Sequence, residues 1–193
     1  IGFLPLSDFK LDSSLSRDYL VNANWALYCD NYLEGFQIPF VHPDLNETLD
    51  YGSYKTELYD HMSLQIGYAD DGVECFDFPE GHPDFGKKVA AYYYWVFPNM
   101  MFNFYPWGLS INLVQPISPN RTKVKFISYV LDYDKVEVGA GALLDKVERE
   151  DEFVVEGVQK GISSRFYKRG RFSPSREQGV HHFQRMLSER ISI

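Results

Sequence analysis

The stretch NWALYCDNYLEGFQIPFVHPDL, residues 24–45, carries the residues whose types and spacing suit chemistry. Asp30 and Glu34 lie four positions apart, and Gln37 follows three further on. At those spacings on one helix, all three share a face. Pro39 is expected to end that helix at about Ile38, after which the chain turns before His42-Pro43. Two acids, an amide and an imidazole brought together where a helix breaks can form a metal site or an acid–base pair. Taken singly, the same residues have plainer uses: His42 as a loop imidazole bonded to backbone, Glu34 as a carboxylate on a wet helix face.

The elements that position these groups follow from periodicity. Residues 1–16 read as a lead-in segment with a turn at Asp12-Ser13-Ser14, and Asp18 to Ile38 as a helix with Trp25, Tyr28, Cys29, Tyr32, Leu33 and Phe36 on its apolar stripe. Residues 43–50 are a loop, 54–66 form one or two strands, Ala69-Asp70-Asp71-Gly72 is a turn, and 77–88 form a polar loop. Strands are expected at 91–97, 100–105, 109–116 and 122–132, the last with one wet face. Residues 133–147 form a connection with a first helical turn, and a helix starts at Glu150 with Val154, Val158, Ile162 and Phe166 inward. Ser173-Pro174 is the expected cap of a last helix, with Val180, Phe183, Leu187 and Ile191 facing in. Strands in a row followed by helices indicate an α+β fold, a curved antiparallel sheet wrapped round a helix and enclosing an apolar cavity.

The 193 residues suit one domain with a sizeable core, and aromatic residues at 17% supply bulk to line a cavity. A formal net charge of −8 gives nucleic-acid binding no electrostatic support. Residues 89–120 carry no charge, but Pro98, Pro106, Pro116 and Pro119, with Asn99, Asn103 and Asn112, interrupt them and their alternation is that of strands, so no membrane span is expected. Two cysteines, Cys29 and Cys75, are too few for a disulfide framework and point to a reducing, cytoplasmic setting. With isoleucine first and no signal peptide legible in IGFLPLSDFK, the sequence reads as a processed product or a domain of something longer. His61 and His82 lack acidic or cysteine partners at ligand spacing, and no Gly-x-Ser-x-Gly, P-loop or dinucleotide fingerprint occurs.

The 24–45 stretch resembles the iron-binding segment of the catalytic domain of Rieske non-haem iron oxygenases, the alpha subunits of ring-hydroxylating oxygenases and related monooxygenases. Asn24-Trp25, Asp30-Asn31, Glu34 and His42 match that pattern, and Gln37 stands where the family has its first iron histidine. A second block matches in Glu150-Asp151 followed by Val158-Gln159-Lys160-Gly161, then Ser164-Arg165-x-Tyr167, Gly170-Arg171-x-Ser173, Glu177-x-Gly179-Val180 and His181-His182-Phe183.

The resemblance implies a helix-grip (START/Bet v1-like) fold and a single oxygenase catalytic domain over residues 1–193. Its Fe(II) would be held by His42 and by Asp151, which would open a C-terminal helix, with Gln37 in the remaining ligand's place and dioxygen as co-substrate. Two histidines and a carboxylate on one face of the metal leave positions open for oxygen. Glu34 would relay electrons from a [2Fe–2S] Rieske cluster. That cluster needs two Cys and two His, and this chain has no Cys-x-His pair, so it is expected on an N-terminal domain absent here. A reductase or ferredoxin as donor, a homotrimer, and hydroxylation or demethylation of a small apolar, aromatic or quaternary-amine substrate complete the implied picture. Gln37 leaves three outcomes open: iron held with the amide or water as third ligand, a metal-free cavity, or a deliberate replacement of His. The second would make the chain a small-molecule binding module without catalysis.

Overall fold

The computed structural model describes residues 1–42, 48–69, 71–142 and 144–191. Most of the loop expected at 43–50, and Asp70 of the expected turn, lie outside the described residues. Seven strands form one antiparallel sheet: β1 (Lys10–Val21), β2 (Lys55–Tyr59), β3 (Met62–Tyr68), β4 (Val89–Val96), β5 (Met100–Tyr105), β6 (Gly108–Ser118) and β7 (Arg121–Val130). Their order across the sheet is β1-β7-β6-β5-β4-β3-β2, so a meander from β2 to β7 is closed off by the first strand of the chain. The described residues also form the α-helices α1 (Trp25–Leu33), α2 (Gln37–Val41), α3 (Leu144–Ile162) and α4 (Gln178–Ile191). This is the α+β, helix-grip architecture that the sequence led one to expect.

The largest apolar cluster joins the layers. Tyr28, Cys29 and Leu33 of α1, Val155 of α3, and Val180, Phe183 and Met186 of α4 pack on Trp95, Met101, Val114 and Val124 of the sheet. Phe183 meets both Trp25 and Trp95 edge-on, with ring centroids 5.8 and 5.0 Å away. Burial of each such side chain contributes about 1.5–3 kcal/mol, and this cluster fixes α1 against the sheet.

Several expectations are corrected. The helix placed at 18–38 is three elements. Residues 10–21 are an edge strand, paired with β7 through a register shift between Asp12 and Arg17 where the Asp12 carboxylate accepts from Ser14 N at 2.8 Å. Leu11, Leu15 and Tyr19 fall every fourth residue, a helical spacing, and only pairing with a strand more than 100 residues away overrides it. Regular helix then ends at Leu33, well short of Pro39. That proline sits inside the first turn of α2, where its missing N–H has no helical acceptor to lose.

The helix expected from Glu150 begins six residues earlier, so Asp151 lies in its middle. Val158 and Ile162 are exposed, and Phe166 is exposed beyond the helix end. The inward face is Leu144, Val147, Glu148, Asp151 and Val155, a proper helical stripe whose polar members disguise it. Ser173-Pro174 begins a turn, and α4 starts only at Gln178, with Val180 and Phe183 buried and Ile191 exposed. Among the described residues no helix is long and apolar enough to cross a membrane.

Candidate functional site

Asn24 caps α1 by accepting from Ala26 N at 3.0 Å, and α1 then runs with Tyr28 and Asn31 on the face toward α3. After Leu33 the chain breaks. The Glu34 carboxylate accepts from the backbone N–H of Phe36 and, at 3.0 Å, from that of Gln37. Two of the orphan donors that open α2 are thereby satisfied. One turn later α2 ends at His42, which is buried.

Three side chains converge there. His42 Nε2 lies 3.1 Å from Asp151 Oδ1 and 3.3 Å from Gln37 Oε1, while Nδ1 lies 2.8 Å from Glu150 Oε2. Gln37 Nε2 donates to the Asn31 carbonyl at 2.7 Å, which turns its amide oxygen toward the imidazole. Asn31 Nδ2 donates to Asp151 Oδ1 at 2.7 Å, tying α1 to α3.

Every partner of the imidazole is therefore an acceptor. Such a ring must carry protons on both nitrogens or share Nε2 with a cation. Burial works against charge on His42, but hydrogen bonds and charges of Asp151 and Glu150 outweigh it and raise its pKa. With Nδ1–H held by Glu150, the Nε2 lone pair, the Asp151 carboxylate and the Gln37 amide oxygen form a one-sided nitrogen–oxygen–oxygen set. That set fits a divalent first-row metal, and Glu150 fits the outer carboxylate that orients a ligating histidine. Among the described residues no group of three or more His, Cys, Asp and Glu side chains is gathered for a metal, because the third position is an amide.

The cluster sits in the wall of a cavity of about 100 Å³. Tyr28, Tyr32, Tyr54, Tyr93, Tyr105 and Phe126 give it an aromatic lining. Of the uncharged aromatic run at 92–107, only Tyr93 and Tyr105 reach it, and Trp95, Phe104 and Trp107 are core. Inside the sheet, Tyr32 donates to Asn103 Oδ1 at 2.7 Å and Asn103 to Asn112 Oδ1 at 3.3 Å, leaving polar atoms on the cavity side.

Sequence reasoning grouped Asp30 with the cluster, and the structure separates it. Asp30 faces α4, accepting from Gln184 Nε2 at 2.7 Å. Burial, offset in part by that bond and aided by the charge of Glu177, lifts its pKa to about 7. Burial likewise lifts Glu34 to about 7 against its two backbone bonds, with Glu177 and Asp151 adding to the rise. Reasoning from sequence missed the roles of Asn31, Glu150 and Glu148. The first two are themselves matched residues whose partners no spacing gives, and Glu148 had no signal except its place on the stripe through Asp151. His182 reaches the Tyr59 carbonyl at 2.7 Å, and His82 stacks on Phe78 at 4.6 Å between centroids.

Choline monooxygenase of Arabidopsis thaliana, named as chloroplastic, is 34% identical over 201 residues, covering 97% of this chain and 45% of that protein. The carnitine monooxygenase oxygenase subunit of Escherichia coli (strain K12) is 27% identical over 179 residues, covering 86% and 46%. The chain thus spans about half the length of the curated relatives it matches. A solved quaternary ammonium Rieske monooxygenase shares the fold with a TM-score of 0.74 at 23% identity, over 95% of this chain and 51% of that one. Dicamba monooxygenase bound to dicamba shares it at 0.60 and 13%, over 97% and 62%. Residues 6–193 match the family described as ring hydroxylating alpha subunit (catalytic domain), and the chain belongs to that family.

Proposed function

We propose that this chain is the catalytic domain of a Rieske-type monooxygenase acting on a small quaternary or related amine. The observation that carries the reading is the convergence of His42, Asp151 and Gln37 on one point in the wall of an aromatic cavity. His42 and Asp151 would hold a mononuclear iron, with Gln37 as a weaker oxygen donor in the third place. Fe(II) held by such a set supplies the activation of dioxygen. The relatives named for choline and carnitine support the substrate class, and aromatic walls suit a trimethylammonium group by cation–π attraction.

The chain's own residues divide the remaining work. The tyrosines and Phe126 would exclude water and hold the substrate against the cluster. Glu150 would keep the His42 proton on Nδ1 and its lone pair on Nε2, and Asn31 would fix the Asp151 carboxylate. In monooxygenation one oxygen atom enters a C–H bond and the other leaves as water, which consumes two electrons and two protons. The electrons would come from a Rieske [2Fe–2S] domain outside these residues, reduced by a ferredoxin or reductase. Glu34, between α1 and α2, would be their way in, from a neighbouring subunit of a trimer.

The test is anaerobic loading with Fe(II), followed by a single turnover with chemical reductant, oxygen and choline. Bound iron and a product carrying one oxygen atom from O2 are expected. A protein that takes up no iron and forms no product would overturn the reading.

A further inference from the structure

Glu148 is the most conspicuous group the reading above leaves unused. It lies one turn before Asp151 on the inward face of α3 and is 2% exposed. Its Oε2 accepts from Tyr28 OH at 2.5 Å, and its Oε1 is buried with no hydrogen-bond partner among the described residues. A buried carboxyl oxygen left bare is costly, so something else is expected to meet it.

The surroundings say what. Glu148 lines the aromatic cavity together with Glu34 and Asp151, and none of the described lining residues is Lys or Arg. Among the described residues the one basic group in that wall is His42, already held by Asp151 and Glu150, so Glu148 has no cation of its own. Tyr28, which holds the other oxygen, also presents its ring to the cavity. On a helix, positions three apart have Cβ atoms about 5–6 Å from each other. A nitrogen held at Glu148 would therefore place its attached carbons beside the His42–Asp151 cluster.

We infer that Glu148 supplies the specificity-determining carboxyl of the cavity, its Oε1 facing the cationic head group of an amine substrate whose alkyl groups lie against Tyr28 and its aromatic neighbours. This rests on the proposed amine-oxygenase reading and goes further, since it assigns the charge recognition to one atom.

Calorimetric titration of the intact protein separates the two. The ligands are choline and its uncharged isostere with carbon in place of nitrogen, each titrated into the wild type and into Glu148→Gln. Wild-type protein is expected to bind choline at least about tenfold more tightly than the isostere, and Glu148→Gln to lose most of that preference while binding the isostere as before. If the wild type binds choline and isostere equally, the inference falls whether or not the variant folds. If the variant folds and keeps the preference for choline, the inference falls and the amine reading stands. If the wild type binds choline not at all, both fall.

Discussion

His42 Nε2 and Asp151 Oδ1 lie 3.1 Å apart although 109 residues separate them in sequence. One group ends a one-turn helix, and the other projects from the middle of a long one. What holds them together is Asn31, whose amide donates to Asp151 and whose carbonyl accepts from Gln37. The pair is therefore part of a network joining α1, α2 and α3, and each member can be tested.

Gln37 is the first. Its amide oxygen, 3.3 Å from His42 Nε2, is a poorer donor to iron than an imidazole nitrogen. Gln37→His is predicted to raise the affinity for Fe(II) or Co(II) by about tenfold or more, measured by anaerobic calorimetry. An unchanged affinity would mean that the three side chains do not form a metal seat, and would favour a binding module that uses only the cavity.

Asn31 is next. Removing its amide frees Asp151 to rotate and leaves the Gln37 N–H without its orienting partner only if the backbone also shifts. Asn31→Ala is therefore predicted to cost about 1 kcal/mol in denaturant unfolding and to weaken metal binding by about tenfold. Loss of stability with metal affinity intact would assign Asn31 to packing alone.

How much of this was legible in the sequence depends on how local the cause is. The strands from β3 to β7 announce themselves, because β6 alternates buried and partly exposed residues and the Pro106-Trp107-Gly108 turn separates it from β5. The edge strand β1 did not, since its pairing with β7 closes a loop of more than 100 residues that no periodicity records. The His42–Asp151 meeting was named from a resemblance, and no spacing argument reaches across 109 residues. Glu148 escaped because a carboxylate on a helix usually faces water, and here it is buried.

Gly179 tests how the helices support the site. A Cβ there would stand 2.9 Å from the Leu33 carbonyl oxygen, at the end of α1. Backbone cannot yield as a side-chain tip can, so α4 must move away from the residue that precedes Glu34. Gly179→Ala is predicted to destabilise by about 1–3 kcal/mol in urea unfolding. A neutral result would show that α1 and α4 are not in fixed contact.

Asp30 supplies a pH dependence of stability. Its carboxyl is raised from 3.8 to about 7, chiefly by burial, and its Oδ1 is buried with no partner among the described residues. Below 3.8 the folded and unfolded chains both carry the proton, so the side chain is neutral in each and stability is at its full value. Between 3.8 and about 7 the unfolded chain releases the proton while the folded chain keeps it, and stability falls as pH rises. Above about 7 the folded form also ionises and the loss is complete. Asparagine cannot ionise and keeps an oxygen for Gln184, so Asp30→Asn is predicted to gain on the wild type across that window. The gain should reach about 1–3 kcal/mol at its upper end. Urea unfolding of both proteins at several pH values through the window measures the difference. A difference that stays flat with pH would mean that Asp30 is ionised in the folded protein throughout, with water reaching Oδ1 from the α4 side.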